Sequence, residues 1–213
     1  MQWLLLLLLI GWLLLSACSR LYYGAMEKLG YHKRDLLVRE VEAAHKAQLE
    51  AKAQFESALE RFSALTRFEG GDLEALYREL KATFEESRAK AEEIHRRIAA
   101  IEEVATALFR EWERELDQYR SEGLRARSAA KLEETRRGCG RLIEAMKRAE
   151  SRMEPVLALF SDRVLFLKHN LNAQAVASLR GEAVHIEEDV EVLIREMERA
   201  IAEAERFLAT MKS

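Results

Sequence analysis

The stretch from residue 91 to residue 112 reads AEEIHRRIAAIEEVATALFREW. Its apolar residues recur at alternating steps of three and four, at Ala91, Ile94, Ile98, Ile101, Ala105, Leu108 and Trp112. This spacing places them along one side of an α-helix, as in the seam between packed helices. Because a long helix with one apolar side must bury that side, the stretch predicts an all-α protein whose helices pack side by side.

The same spacing covers most of the chain and stops at three places. The first is Gly70-Gly71-Asp72, where two glycines end one helix and an aspartate caps the next. The second is Ser121-Glu122-Gly123, and the third lies near residues 169–173, where Asn170 and Asn172 suit a helix stop and a helix cap. The pattern therefore predicts four helices, at about residues 28–67, 72–119, 124–169 and 173–211.

Short connections between four long helices favour antiparallel neighbours. The predicted fold is an elongated, coiled-coil-like antiparallel four-helix bundle over residues 28–213. If the turn near residues 169–173 is absent, the third and fourth helices fuse into an extended coiled coil whose seam a partner must cover. The third helix is irregular, because Gly138 and Gly140 lower its helix propensity and Pro155 is expected to kink or restart it.

The composition agrees with long helices and narrows the function. The 213 residues include one proline, 34 Lys plus Arg and 37 Asp plus Glu, which gives a formal net charge of −3. A hydrophobic share of 49% excludes a disordered chain. The near-neutral charge gives no electrostatic support for bulk nucleic-acid binding, so no nucleic-acid partner is predicted.

The first residues predict a lipoprotein signal peptide. Residues 3–17 carry no charge and span about 22 Å as a helix, which is short of the ~30 Å hydrocarbon core of a membrane. The run ends in Leu15-Ser16-Ala17-Cys18, which resembles the lipobox of bacterial lipoproteins. Small residues fit a peptidase cleft, and a cysteine thiolate accepts the lipid. We therefore expect a signal peptide over residues 1–17, cleavage between Ala17 and Cys18, a lipid on Cys18 and a lipidated tether over residues 18–27.

One feature departs from the usual leader, because only Met1 and Gln2 precede the apolar run, without Lys or Arg. An uncleaved anchor and a cytosolic protein with an apolar tail are the alternatives. Ser19 stands where an aspartate would favour the inner membrane, so the expected location is the cell envelope, at the outer membrane facing the periplasm. With Cys18 lipidated, Cys139 is the one thiol of the mature chain, so no intramolecular disulfide is expected.

Four segments of the chain resemble a family of uncharacterised bacterial lipoproteins, the domain of unknown function 2959 family. They are residues 22–35, 68–73, 108–113 and 164–175. The resemblance implies a helical envelope lipoprotein without an assigned activity, and it supplies no catalytic residues.

Two groups of residues are candidates for surface contacts. Lys28, His32, Lys33 and Arg34 follow the tether, where cations would meet anionic lipid head groups; the alternative is a solvated helix start. At the opposite end of an antiparallel bundle lie Phe68 to Asp72 and the predicted partner-contact turn, Lys168, His169, Asn170 and Asn172. The alternative reading of that turn is that its asparagines only stop and cap helices.

A second basic region, residues 120–152, would suit an acidic partner, although mixed charges on helices usually face solvent.

Two Glu-x-x-His patterns invite comparison with di-metal bundles, in which such pairs point inward. Glu92 with His95 and Glu182 with His185 lie beside the apolar seam instead, so no metal or cofactor is predicted. No nucleophile or phosphate-binding motif is present, and no catalytic residue is assigned.

The sequence thus predicts a non-enzymatic, membrane-tethered helical bundle with a structural or adaptor role and envelope proteins as candidate partners. A ligand- or metal-binding bundle and an oligomeric coiled-coil scaffold are the alternatives. The sequence leaves the oligomeric state open.

Overall fold

The computed structural model describes residues 33–68, 70, 72–181 and 183–212. Across these residues it contains no strand and consists of helices joined by short turns. The helices are α1 Lys33–Thr66, α2 Leu73–Leu116, α3 Glu122–His169, α4 Ala173–Arg180 and α5 Ala183–Lys212. The all-α prediction is confirmed.

The chain turns close to each of the three predicted interruptions, and at each of them a side chain caps the helix that follows. The second turn lies earlier than predicted, at residues 117–121, because α3 already begins at Glu122. Asp72 Oδ1 accepts a hydrogen bond from the backbone N–H of Ala75 at 3.0 Å. Ser121 caps α3 in the same way, and Asn172 Oδ1 accepts from the N–H of Ala175 at 2.9 Å to cap α4. Capping satisfies N–H groups that have no partner within the helix, which is why these residues fix the helix starts.

The long helices form a closed antiparallel ring, in which α1 and α3 each pack against both α2 and α5. Ion pairs show that neighbouring helices run in opposite directions. Arg61 near the end of α1 pairs at 2.7 Å with Glu79 near the start of α2, whereas Lys33 at the start of α1 pairs with Glu111 near the end of α2. The architecture is therefore an up-down-up-down four-helix bundle, as predicted.

The residues of the predicted seams form the core. Ile94, Ile98 and Ile101 of α2 are at most 3% exposed. Phe62 of α1 and Phe160 of α3 meet edge to face, with ring centroids 5.9 Å apart and an interplanar angle of 80°. Such pairs add to the stabilisation that burial of their apolar area provides. Because the seams are covered within one chain, this part of the molecule needs no partner to complete its core.

The predicted fourth helix, residues 173–211, is divided in two, which corrects the sequence prediction. The short helix α4 ends at Arg180, Gly181 follows in a turn, and α5 begins at Ala183. A glycine costs about 1 kcal/mol relative to alanine inside a helix, so a break at this position is inexpensive. The short helix packs against both α1 and α3.

Pro155 does not restart the third helix, because α3 continues through this residue. Pro155 lacks a backbone N–H, and it lies on the exposed side of the helix. The carbonyl of Ser151, which would have accepted that bond, belongs to a residue that is also exposed. Water can therefore solvate the unpaired carbonyl, which lets the helix continue.

Candidate functional site

The bundle has two chemically different ends. We call the end that holds residues 67, 68, 70, 72 and 170–172 the distal end, and the end that holds residues 117–121 the proximal end. Arg180, the last residue of α4, ties this short helix to the turn after α1, since its Nε donates to the carbonyl of Thr66 at 2.7 Å and its Nη2 to the carbonyl of Phe68 at 3.1 Å. At the proximal end, Arg34 donates to the carbonyl of Met211, so the start of α1 and the end of α5 lie together.

The predicted partner-contact turn lies at the distal end, and its residues have different roles. The side chain of Asn170 donates to the carbonyl of Phe166 at 3.0 Å, and its backbone N–H closes the last turn of α3. Asn172 caps α4. The reading of these asparagines as turn residues is therefore confirmed. Lys168 and His169 are exposed and lie on the surface of the distal end.

An exposed apolar patch at the same end was not predicted. Leu165 is 57% exposed, Phe166 39% and Leu171 38%. Leu171 lies in the turn after α3. Leu165 and Phe166 stand between the buried positions Val164 and Leu167, so a count of apolar residues off the seam would have found them. Clustered exposed apolar side chains commonly mark an interaction surface.

A groove of about 350 Å³ adjoins this patch, where α4 folds back against α3. Asp162, Arg163 and Phe166 of α3 and Ser178 and Leu179 of α4 line it. Leu179 is buried, whereas Asp162 and Ser178 are polar at the surface, so the groove has an apolar side and a polar rim. This arrangement can accept a bulky apolar side chain of a partner and bond to the partner's backbone beside it.

The predicted proximal contact residues lie only partly within the described chain. Lys28 and His32 lie outside the described residues, as do Ala17 and Cys18. The ammonium group of Lys33 pairs with Glu111, and its side chain is only 14% exposed, so it faces α2 more than the surroundings. Arg34 is exposed and bonds the end of α5.

The histidines of the two Glu-x-x-His pairs contact different acidic residues. His95 lies on the surface of α2 and pairs with Glu150 of α3 at 2.6 Å, with 74% of its side chain exposed. His185 of α5 is 81% exposed and lies 3.8 Å from Glu188, while Glu182 lies outside the described residues. In the part of the chain that the structure describes, no three histidine, cysteine or acidic side chains are grouped as metal ligands would be.

Cys139 lies in the core of α3 and is 1% exposed. Burial, with a smaller contribution from the charge of Glu102, raises the pKa of the Cys139 thiol to about 12. A thiol in this state is protonated at neutral pH and reacts slowly, because the thiolate is the nucleophile. The geometry therefore makes Cys139 a core residue rather than a candidate for a disulfide with another chain.

None of the described helices combines the length and the apolar character that a membrane span requires. The fold and the distal end define the class of the protein as a long antiparallel helical bundle with an exposed apolar patch and groove at one tip.

Residues 22–211 match the family described as "Protein of unknown function (DUF2959)", and the chain belongs to this family. The family resemblance predicted from the sequence is confirmed. No curated protein and no solved structure matches the chain.

Proposed function

We propose that the protein is a non-enzymatic cell-envelope lipoprotein that works as an adaptor. A lipid on Cys18 tethers the bundle to the periplasmic face of the outer membrane, and the distal end binds another envelope protein. The observation that carries the adaptor role is the apolar patch of Leu165, Phe166 and Leu171 beside the α3–α4 groove.

The position of this surface supports the proposal. The described chain begins at the proximal end with Lys33, while the patch lies at the other end of α3, a helix of 48 residues. At 1.5 Å per residue this helix is about 72 Å long. A protein tethered through residues that precede Lys33 would therefore present the patch far from the membrane, on a scaffold that its own core keeps rigid.

The tether is tested by the variant Cys18→Ala. We expect loss of acyl labelling and release from the membrane fraction, because the acylated thiol and amine both belong to this residue. Cys139→Ala is the matched control, and it should leave labelling and fractionation unchanged. Labelling that persists in Cys18→Ala contradicts the lipoprotein proposal.

The distal surface is tested by crosslinking in intact cells with a photoreactive amino acid at Leu165 or Leu171. We expect each position to capture one discrete partner, and we expect Phe166→Asp to abolish the capture without lowering the amount of protein. A photoreactive residue at Leu49, which is 46% exposed on α1 far from the distal turns, is the matched control. Equal capture from Leu49 and Leu165 contradicts a specific distal site.

A further inference from the structure

At the proximal end, the hairpin of α2 and α3 reaches past the described parts of α1 and α5. The first described residue of α1, Lys33, pairs with Glu111, and α2 continues for five residues beyond Glu111, to Leu116. This adds about 8 Å of helix before the turn. Neither α1 nor α5 runs alongside the turn, so residues 117–127, which we call the hairpin tip, lie farthest out at this end among the described residues.

The hairpin tip combines exposed apolar side chains with cations. Tyr119 is 42% exposed and Leu124 48%. Residues 117–127 contain three arginines against one aspartate and one glutamate, a formal net charge of +1, and Arg120 and Arg127 are exposed. Arg125 lies 3.4 Å from Asp117, and both of these side chains are more than half exposed. Tyrosine, leucine and arginine at the edge of a protein are typical of surfaces that contact the head-group region of a bilayer.

Side-chain contacts hold the tip in place. Trp112 Nε1 of α2 donates to Ser128 Oγ of α3 at 2.8 Å, and the Tyr119 hydroxyl donates to the same oxygen at 3.3 Å. Farther from the turn, Arg136 of α3 pairs with Glu113 of α2 at 2.7 Å. The tip is therefore a fixed extension of the bundle. The orientation of the whole bundle relative to its surroundings determines what the tip contacts.

We infer that the hairpin tip is a membrane-contact surface that binds anionic lipid head groups. The inference rests on the proposed lipid tether at Cys18. Lys33 follows Cys18 by fifteen positions, and a fully extended chain over that distance spans at most about 50 Å, which exceeds the reach of the hairpin. The tether thus lets the tip approach the bilayer. Because the tip extends past Lys33, it meets the lipid before the helices α1 and α5 do.

The cations of the hairpin tip favour a membrane surface that contains anionic lipids. Cations are attracted to the negative potential of anionic lipids over about one Debye length, and salt weakens this attraction. Tyr119 and Leu124 add apolar area that can be buried at the boundary between the head groups and the acyl chains. The distal end has exposed apolar residues too, but a tether at the other end keeps it away from the same bilayer, which makes the distal end a natural control.

The test places a single tryptophan at either end of the full mature protein. Trp112 is the one tryptophan of the chain after residue 17, so we compare Trp112→Phe with Tyr119→Trp against Trp112→Phe with Phe166→Trp. Tyr119 and Phe166 are exposed to similar extents, at 42% and 39%. Each protein is reconstituted into vesicles of phosphatidylethanolamine and phosphatidylglycerol with brominated acyl chains, which quench indole fluorescence. Circular dichroism and thermal melting confirm that both proteins are folded.

We expect about a twofold loss of fluorescence at position 119 and no loss at position 166, because an indole at the membrane interface approaches the bromine atoms. High salt or the triple change Arg120→Glu, Arg125→Glu and Arg127→Glu should relieve most of the quenching. Lys168→Glu at the distal end is the matched charge control and should have no effect. Equal fluorescence at both positions, in protein that remains bound to the vesicles, overturns the inference.

Two other results are distinguishable. If emission at position 119 shifts with protein concentration in the absence of vesicles, a second copy of the chain covers the tip, and the inference is wrong. If mass spectrometry finds no acyl group on Cys18, the proposed function fails first. Coupling Cys18 to a maleimide lipid then supplies the tether, with Cys139 protected by burial, and the same comparison of positions 119 and 166 decides the membrane contact.

Discussion

Gly138 and Gly140 flank Cys139 in α3 but have different surroundings. A Cβ atom added at Gly138 would lie 3.3 Å from Cδ2 of Phe207, whereas one added at Gly140 would meet nothing within 4 Å. The sequence alone shows only two helix-weakening residues. The packing shows that Gly138 accommodates the ring of Phe207 on α5, while Gly140 has no such role.

We predict that Gly140→Ala raises the free energy of unfolding by about 1 kcal/mol, the usual difference in helix propensity. Gly138→Ala should gain less or lose stability, because the buried ring of Phe207 must shift to make room. Chemical denaturation of both variants measures the difference. Equal gains would mean that the contact with Phe207 imposes no constraint.

Gln48 is a buried polar residue in the seam of α1. It is 1% exposed, and neither Nε2 nor Oε1 has a hydrogen-bond partner among the described residues. An unsatisfied buried amide costs free energy because it gives up its bonds to water and gains none in return.

Gln48→Met keeps the length of the side chain and removes the polar atoms, so we predict a gain in unfolding free energy of about 1–3 kcal/mol. Gln54→Met is the control: Gln54 Nε2 donates to the carbonyl of Thr83 at 3.1 Å, and its loss should not stabilise the protein. A loss of stability in Gln48→Met would show instead that this amide sets the helix register.

At the scale of elements, the spacing of apolar residues located the long helices and the three turns because helical periodicity is a local property of the chain. It did not locate the break between α4 and α5. Leu179 is followed by Ala183 and Ile186 at steps of four and three, so the pattern continues across Gly181 without a signal. What distinguishes α4 is its contact with α1 through Arg180, which depends on residues more than 100 positions away.

We predict that Arg180→Ala loosens α4. The guanidinium bonds two carbonyls at the end of α1, and such bonds contribute about 1 kcal/mol when they are partly solvated. Hydrogen exchange should become faster in α4 and in the last turn of α1, and remain unchanged in the middle of α2. Arg206→Ala removes an ion pair with Glu203 in which the arginine is 66% exposed, and it should leave exchange nearly unchanged. Unaltered exchange in α4 after Arg180→Ala would contradict the proposed clamp.

At the scale of the whole molecule, the apolar sides of the long helices pack against one another in one core. Core residues from all five helices form one hydrophobic cluster, including Phe55 and Leu142, which are 0% exposed. An oligomeric coiled coil needs an open seam for its partner. The turn at residues 170–172 removes that opening, because it returns the chain to cover α1 and α3.

We therefore predict that the mature chain without its lipid is a monomer that unfolds in one cooperative transition. Light scattering coupled to size-exclusion chromatography measures the mass, and urea denaturation followed by circular dichroism measures the cooperativity. A stable dimer whose melting temperature rises with protein concentration would favour the scaffold alternative.

The candidate site was only partly predictable. The distal location of Lys168 and His169 followed from counting helices. Two antiparallel helices separate the turn after the first helix from the turn after the third, so both turns lie at the same end. The groove did not follow, because Ser178 and Leu179 reach Phe166 only when α4 folds back against α3.

The sequence by itself determined the helices, their buried sides and their antiparallel order, because each depends on the spacing and capping of neighbouring residues. The tertiary structure alone decided the break after α4 and the groove that Phe166 forms with Ser178 and Leu179. The physical reason is that the direction of a chain after a turn is set by distant contacts. Here these are the bonds of Arg180 to the end of α1, and no local pattern encodes them.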